Sequence, residues 1–212
     1  SSAIGIFAHS NSNAVQLVHP DSTPRAPLVS VPAGTYVVDV AGLPPQNGVP
    51  QSAVLTQTGT AYSLGIAVFD PNGGTWTPIL PIEDPNAPVS IVTANSPTGA
   101  MVYVGDRGNQ PIKRYLYSGN SFAYEGTLEP NFTTGAHPLA ADSSGYIYYA
   151  SPCGAQVYKY GLNSGTPLLV ISNTGSNPVT GIAVDSSGYV YVAGLPTGSD
   201  HARVMKYTPQ GA

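Results

Sequence analysis

Apolar residues in this chain come in short runs, broken by Gly, Pro, Ser, Asn and Asp before any of them reaches helical length. PLAA (138–141), YIYYA (146–150), QVYKY (156–160) and PLLVIS (167–172) follow one another with only brief polar connections, and each reads as a β-strand. The first connection is Asp142-Ser143-Ser144-Gly145. Asp and Ser accept local backbone hydrogen bonds in such a turn, and Gly supplies the positive φ that closes it. Connections this short join antiparallel neighbours, because a parallel crossover needs about a dozen residues or more. A helical alternative fails on the same pattern. With 24 Gly and 21 Pro, the longest stretch free of both runs only from Ile6 to His19, and it contains Ser and Asn.

The pattern repeats. DSSGY starts at Asp142 and again at Asp185, and the strand AQVYKY ending at Tyr160 is matched by ARVMKY ending at Tyr207. Equivalent strands end at Val18, Phe69 and Tyr115, so the successive intervals are 51, 46, 45 and 47 residues. Three of the five strands run into a similar turn, VHPDS, FDPNG and YTPQG. These landmarks divide the single domain 1–212 into units of approximately 1–33, 34–80, 81–128, 129–172 and 173–212. Tyr189-Val190-Tyr191-Val192 is apolar on both faces, so its strand must be covered from both sides. A four-stranded antiparallel sheet packed between copies of itself, with a period of about 40–50 residues, is a blade of a β-propeller. The expected fold is all-β, with about five blades. The terminal blades are incomplete: the first lacks an upstream strand, and the last stops after its third.

Composition narrows the function. Charged residues are 8% of the chain, against about 25% in an ordinary domain. The net charge of −4 argues against a nucleic-acid surface. No apolar run approaches the ~18 residues of a membrane-spanning helix. A polar but charge-poor surface points to a secreted or cell-surface protein, and the opening SSAIGIF suits a mature chain whose leader has been removed. Asn131-Phe132-Thr133 is a lone glycosylation sequon. The single Cys153, in the turn SPCGA, has no partner for a disulfide and no nearby base.

GIAVDSSGYVYVAG followed by ARVMKYTPQGA resembles the NHL-type and bacterial seven-bladed-propeller (SBBP-type) repeats, and IFAHSNSNAVQLVHPDS is similar to the YVTN-type repeat. The resemblance implies the propeller fold and says little about function, because enzymes, sensors and adhesins share these repeats. It also implies that the loops between second and third strands share one face with the loops leading into the next blade. That rim would collect His9, Asp106, Arg107, Asp200 and His201 from the first loop set, and Glu83, Asp84, Glu129 and His137 from the second. The tight hairpins would share the opposite face.

The rim residues are candidates for binding a ligand. A second candidate is a basic ladder, Arg114, Lys159 and Lys206, at the same place in the third strand of successive blades, each followed by Tyr. It reads either as a strip for an anionic polymer or as long side chains that cover sheet surface and blunt strand edges. Asp142 and Asp185 could be mistaken for paired catalytic carboxylates, but the turn accounts for both. No GxSxG, HExxH or phosphate loop is present, and no two His stand at i,i+2 or i,i+4. The expected function is therefore a non-catalytic binding or self-assembling module with no metal and no cofactor. Its partner would be another copy, met through a strand edge, or another surface protein or a glycan; neither nucleic acid nor a membrane span is expected. Two alternatives stand beside it. A lactonase-like hydrolase would, by resemblance, hold a divalent metal in the channel with Glu, Asn and Asp from inner strands, yet VDVAG, SIVTAN, PLAAD and TGIAVD offer mainly the turn aspartates. A five-bladed lectin would use some of the 14 Tyr to stack on sugars.

Overall fold

A computed structural model describes residues 5–8, 14–18, 24–70, 73–82, 87–106, 111–128, 138–151, 156–162, 164, 166–171, 176–196 and 201–211. Among them every regular element is a strand, and the strands form five antiparallel meanders. The first holds β1 (Gly5–Ala8), β2 (Ala14–Val18) and β3 (Pro24–Ser30). The second holds β4 (Thr35–Gln46), β5 (Val49–Thr58), β6 (Ala61–Asp70) and β7 (Gly73–Pro81). The third holds β8 (Pro88–Ser96), β9 (Gly99–Asp106), β10 (Ile112–Ser118) and β11 (Ser121–Leu128). The fourth holds β12 (Leu139–Ala141), β13 (Ile147–Ser151), β14 (Gln156–Tyr160) and β15 (Leu169–Ile171). The fifth holds β16 (Ser176–Val184), β17 (Val190–Pro196) and β18 (Arg203–Tyr207). The chain is a β-propeller, and among the described residues its first and last blades have three strands each, as the repeat predicts.

Local chemistry sets the hairpins. Asn47-Gly48 and Gly119-Asn120 each place two consecutive residues at positive φ, the two-residue turn whose twist suits antiparallel strands. The core lies between sheets, in four apolar clusters, each shared by two consecutive blades. β13 shows why its sequence has no polar face. Ile147 and Tyr149 pack toward the third blade, Tyr148 and Ala150 toward the fifth, and all four are fully buried. From blade two onward the blades meet mainly through their first strands, β4 on β8, β8 on β12 and β12 on β16, whereas blade one meets blade two mainly through β3 on β7. Among the described residues no strand of the first blade packs extensively on the fifth.

Candidate functional site

The DSSG turns build the same device twice. Asp142 Oδ1 accepts the Ser144 N–H at 2.9 Å and the Tyr146 N–H at 3.0 Å, while its Oδ2 accepts the Tyr148 hydroxyl at 3.0 Å. Gly145 closes the turn at φ +86°, and a Cβ there would stand 3.0 Å from the Asn95 carbonyl of the neighbouring blade. Lys159, opposite Tyr148 in the β13–β14 ladder, lies over the rings of Tyr146 at 4.1 Å and Tyr148 at 5.0 Å and pairs with Asp142 at 3.7 Å. Blade five repeats the turn's hydrogen bonds and the cation–ring contacts. Asp185 accepts from Ser187 at 2.9 Å and from Tyr189 and Tyr191 at 3.0 Å, and Lys206 lies 4.0 Å from the Tyr189 ring and 5.2 Å from Tyr191.

The titration behaviour follows from these contacts. Burial pulls Asp185 upward, but the N–H of Tyr189, the Tyr191 hydroxyl, the Ser187 N–H and Lys206 together outweigh it and leave the carboxyl below its usual range. The Tyr191 hydroxyl does most to raise Lys206. Tyr148 is raised, first by burial and then by its bond to Asp142. Asp185 and Lys206 are thus held in their charged forms, the opposite of the shift that prepares an acid or a base.

The third blade keeps the position and changes the partners. Arg114 stands opposite Tyr103 in the β9–β10 ladder. Its Nη1 donates to the Leu162 carbonyl at 3.3 Å and its Nη2 to the Glu125 carbonyl at 3.2 Å, and the Tyr103 hydroxyl donates to the same Leu162 oxygen at 3.0 Å. Burial pushes Tyr103 up to about 12, against the pull of Arg114. Arg114, Lys159 and Lys206 each stand opposite a tyrosine of the second strand, with Lys159 and Lys206 turned over tyrosine rings and Arg114 fastening blade three to blade four. Sequence reading missed the tyrosines; their signal was the recurrence of Tyr two residues after the turn's own Tyr in both DSSGY segments.

Of the rim candidates, Asp106 and His201 are described. Asp106 is buried, and its Oδ2 accepts the Ala87 N–H at 3.3 Å, which ties the end of β9 to the start of the same blade. His201 is exposed. His9, Glu83, Asp84, Arg107, Glu129, His137 and Asp200 lie outside the described residues, as does Cys153. Two polar groups that the sequence did not single out are engaged between blades. Asp39 on β4 accepts the N–H of Ile91 on β8 at 2.9 Å and that of Val40 at 2.9 Å; burial raises its carboxyl, and the two N–H bonds only partly offset this. Buried Gln51 accepts the Tyr117 hydroxyl and donates to Asn120 at 3.3 Å.

The described clefts open among the hairpins. One of about 230 Å³ lies between Pro44, Pro45 and Gln46 of blade two and Tyr117 of blade three; another of about 290 Å³ lies between Pro97, Arg114, Glu125 and Leu162. In the second, the Ser96 hydroxyl lies 3.3 Å from that of Thr98, and Glu125 lines the same cleft. The described residues do not fit the divalent metal of a lactonase-like propeller. Both oxygens of Asp39 already accept backbone N–H groups, β12 carries only Leu and Ala, and among the described residues no three His, Cys, Asp or Glu come together.

No protein-family model matches the chain, and no curated protein matches it. Solved propellers do. The chain is similar to a structure of a nidogen/laminin complex at 14% identity and TM-score 0.67, covering 94% of this chain and 72% of that one. It is similar to YCF48 bound to D1 peptide at 14% identity and TM-score 0.57, covering 100% and 64%. It is also similar to a gluconolactonase from Xanthomonas campestris at 13% identity and TM-score 0.59, covering 90% and 65%. The chain thus spans about two thirds to three quarters of the length of these structures. At such identities the likeness shows the fold alone.

Proposed function

We propose that this protein is a non-catalytic binding module, a secreted or cell-surface propeller of NHL and seven-bladed bacterial repeat type that engages another protein. The observation that carries the reading is the fate of four buried or partly buried aspartates among the described residues. Asp39, Asp106, Asp142 and Asp185 each hold at least one backbone N–H group, and the last two also hold a tyrosine hydroxyl, so each of these carboxylates already has a structural role. Propellers solved with laminin and with a peptide support the choice of a protein partner. The charge-poor composition supports the location. Elemental analysis of the purified chain and a lactone-hydrolysis assay with and without chelator test the reading together. The expected result is neither stoichiometric metal nor hydrolysis. One metal per chain with chelator-sensitive hydrolysis would overturn it.

A further inference from the structure

The interval of 45 residues between Tyr115 and Tyr160 sets blades three and four in one frame, and in that frame Tyr117 corresponds to Leu162. Tyr117 reaches back from blade three to blade two. Its ring is 6% exposed and belongs to the cluster those blades share, 5.4 Å from the ring of Phe122, and its hydroxyl donates to buried Gln51 of blade two. One interface further on, Leu162 stands at this place with neither ring nor hydroxyl, and its carbonyl is the acceptor for Tyr103 and Arg114 of blade three. The cleft of about 290 Å³ lies there, with Leu162 in its wall. Where one pair of blades has a tyrosine, the next pair has a smaller side chain and a cleft.

We propose that this cleft between blades three and four is a binding site and that its occupant is a tyrosine side chain presented by a protein partner. The proposal rests on the protein-binding reading above and names the site and the chemistry it takes. Both flanking blades are four-stranded sheets of this chain, so the cleft is bounded within it. Its size excludes a large ligand: sites for whole small molecules measure about 300–1,000 Å³, and about 290 Å³ suits one inserted side chain. Pro97, Met101, Leu116 and Leu162 offer apolar surface to a ring. The Ser96 and Thr98 hydroxyls, 3.3 Å apart on the β8–β9 hairpin, and the Glu125 side chain offer partners to a polar tip. Arg114 adds a cation. Its bonds to the Leu162 and Glu125 carbonyls lie in the guanidinium plane, so they fix that plane and do not use its faces, which stack well on aromatic rings. With one cation and one carboxylate in the lining, a charged side chain meets a like charge as well as an opposite one. An aliphatic side chain leaves the polar groups without a use. A tyrosine answers the whole lining, as Tyr117 does one interface earlier, and tyrosine is among the residues that most often anchor a protein interface from within a pocket.

Saturation-transfer NMR on the full chain with the capped peptide acetyl-Gly-Tyr-Gly-amide tests the proposal, with acetyl-Gly-Leu-Gly-amide and p-cresol as comparison ligands. The tyrosine peptide is expected to bind with a dissociation constant on the order of 1 mM, as suits a single side chain. The leucine peptide is expected to bind at least about five-fold more weakly. Thr98→Trp, at an exposed position of the β8–β9 hairpin, puts a ring of the chain's own into the cleft. Leu162→Tyr supplies from within the group that Tyr117 supplies one interface earlier. Each is expected to keep the wild-type circular dichroism spectrum and to weaken binding of the tyrosine peptide at least about ten-fold. Thr60→Trp, exposed on the β5–β6 hairpin of blade two, is expected to leave binding unchanged. No transfer to the tyrosine peptide at about 10 mM overturns the proposal, as does equal binding of the leucine peptide. Tighter binding of p-cresol than of the tyrosine peptide overturns it in favour of a free phenol. Binding that both cleft variants leave intact, or that Thr60→Trp weakens as much as they do, overturns the location. The protein-binding reading stands or falls separately, on the metal and hydrolysis measurements.

Discussion

Replacing Asp142 with Ala removes the acceptor on which four donors converge. The N–H groups of Ser144 and Tyr146, at 2.9 and 3.0 Å, lose a charged partner, and so does the Tyr148 hydroxyl at 3.0 Å. Lys159 loses its counter-charge at 3.7 Å. Ser144 is exposed, so its N–H can turn to water. Tyr148 is fully buried under blade five, and its hydroxyl cannot readily do so. A hydrogen bond to a charged group contributes about 1.5–3 kcal/mol, and a buried polar group left without a partner costs about 1–3 kcal/mol. With water satisfying part of the turn, the expected loss is about 3–5 kcal/mol, the range found when one member of a buried pair is removed. At an m-value of about 2–3 kcal/mol/M the urea midpoint falls by more than about 1 M. Asp142→Asn keeps an acceptor for both N–H groups and loses mainly the charge, so its midpoint should lie between wild type and Asp142→Ala. The decisive comparison is Asp185→Ala. It deletes the same three hydrogen bonds in a blade whose tyrosine is only partly buried, so its midpoint shift should be clearly smaller. Equal shifts at 142 and 185, or an Asn variant as unstable as the Ala variant, would refute the reasoning.

Gly65→Ala would place a methyl group 1.9 Å from Cη2 and Cζ3 of Trp76, whose ring lies across that glycine, and 2.8 Å from the Thr77 carbonyl. The ring must move, so the emission of the chain's one tryptophan should shift to longer wavelength with a stability loss of about 1–3 kcal/mol; unchanged emission would refute the packing. Asp39 tests linkage. Its folded carboxyl is raised above 3.8, so its contribution to stability is fully present below that pH and is lost as pH rises through the folded value. In urea titrations between pH 3 and 7, the wild type should therefore lose ground to Asp39→Asn as pH rises, and a difference independent of pH would show that burial does not dominate at this site.

What could be read from the sequence was what repeats or closes locally. DSSGY recurs because each copy must make the same turn, and the strand YIYYA is apolar throughout because a sheet lies on both of its faces. Contacts that join distant, unrepeated positions left no such trace. Asp39 meets Ile91 across 52 residues and Gln51 meets Tyr117 across 66, and neither pair belongs to a recurring motif. The basic ladder lay between these cases. Its spacing was visible, but its meaning depended on which side chain stood opposite on the neighbouring strand.

That opposite residue is a tyrosine in all three blades: Tyr103 facing Arg114, Tyr148 facing Lys159 and Tyr191 facing Lys206. What varies is the group that accepts the tyrosine hydroxyl. In blades four and five it is the aspartate of the blade's own turn, and in blade three, which has no such aspartate, it is the Leu162 carbonyl of the next blade. A position that keeps its cation and its ring while exchanging its acceptor is under pressure to fasten the second strand to the third, because a ligand site would have to keep the acceptor as well. Cation–ring contacts of about 0.5–2 kcal/mol, made in blades four and five, add to the stability of these two sheets. Recognition then has to come from what the strands present beyond this clamp: the loops and the clefts among the hairpins. This is the physical reason the repeat reveals the fold of this protein so readily and its partner so poorly.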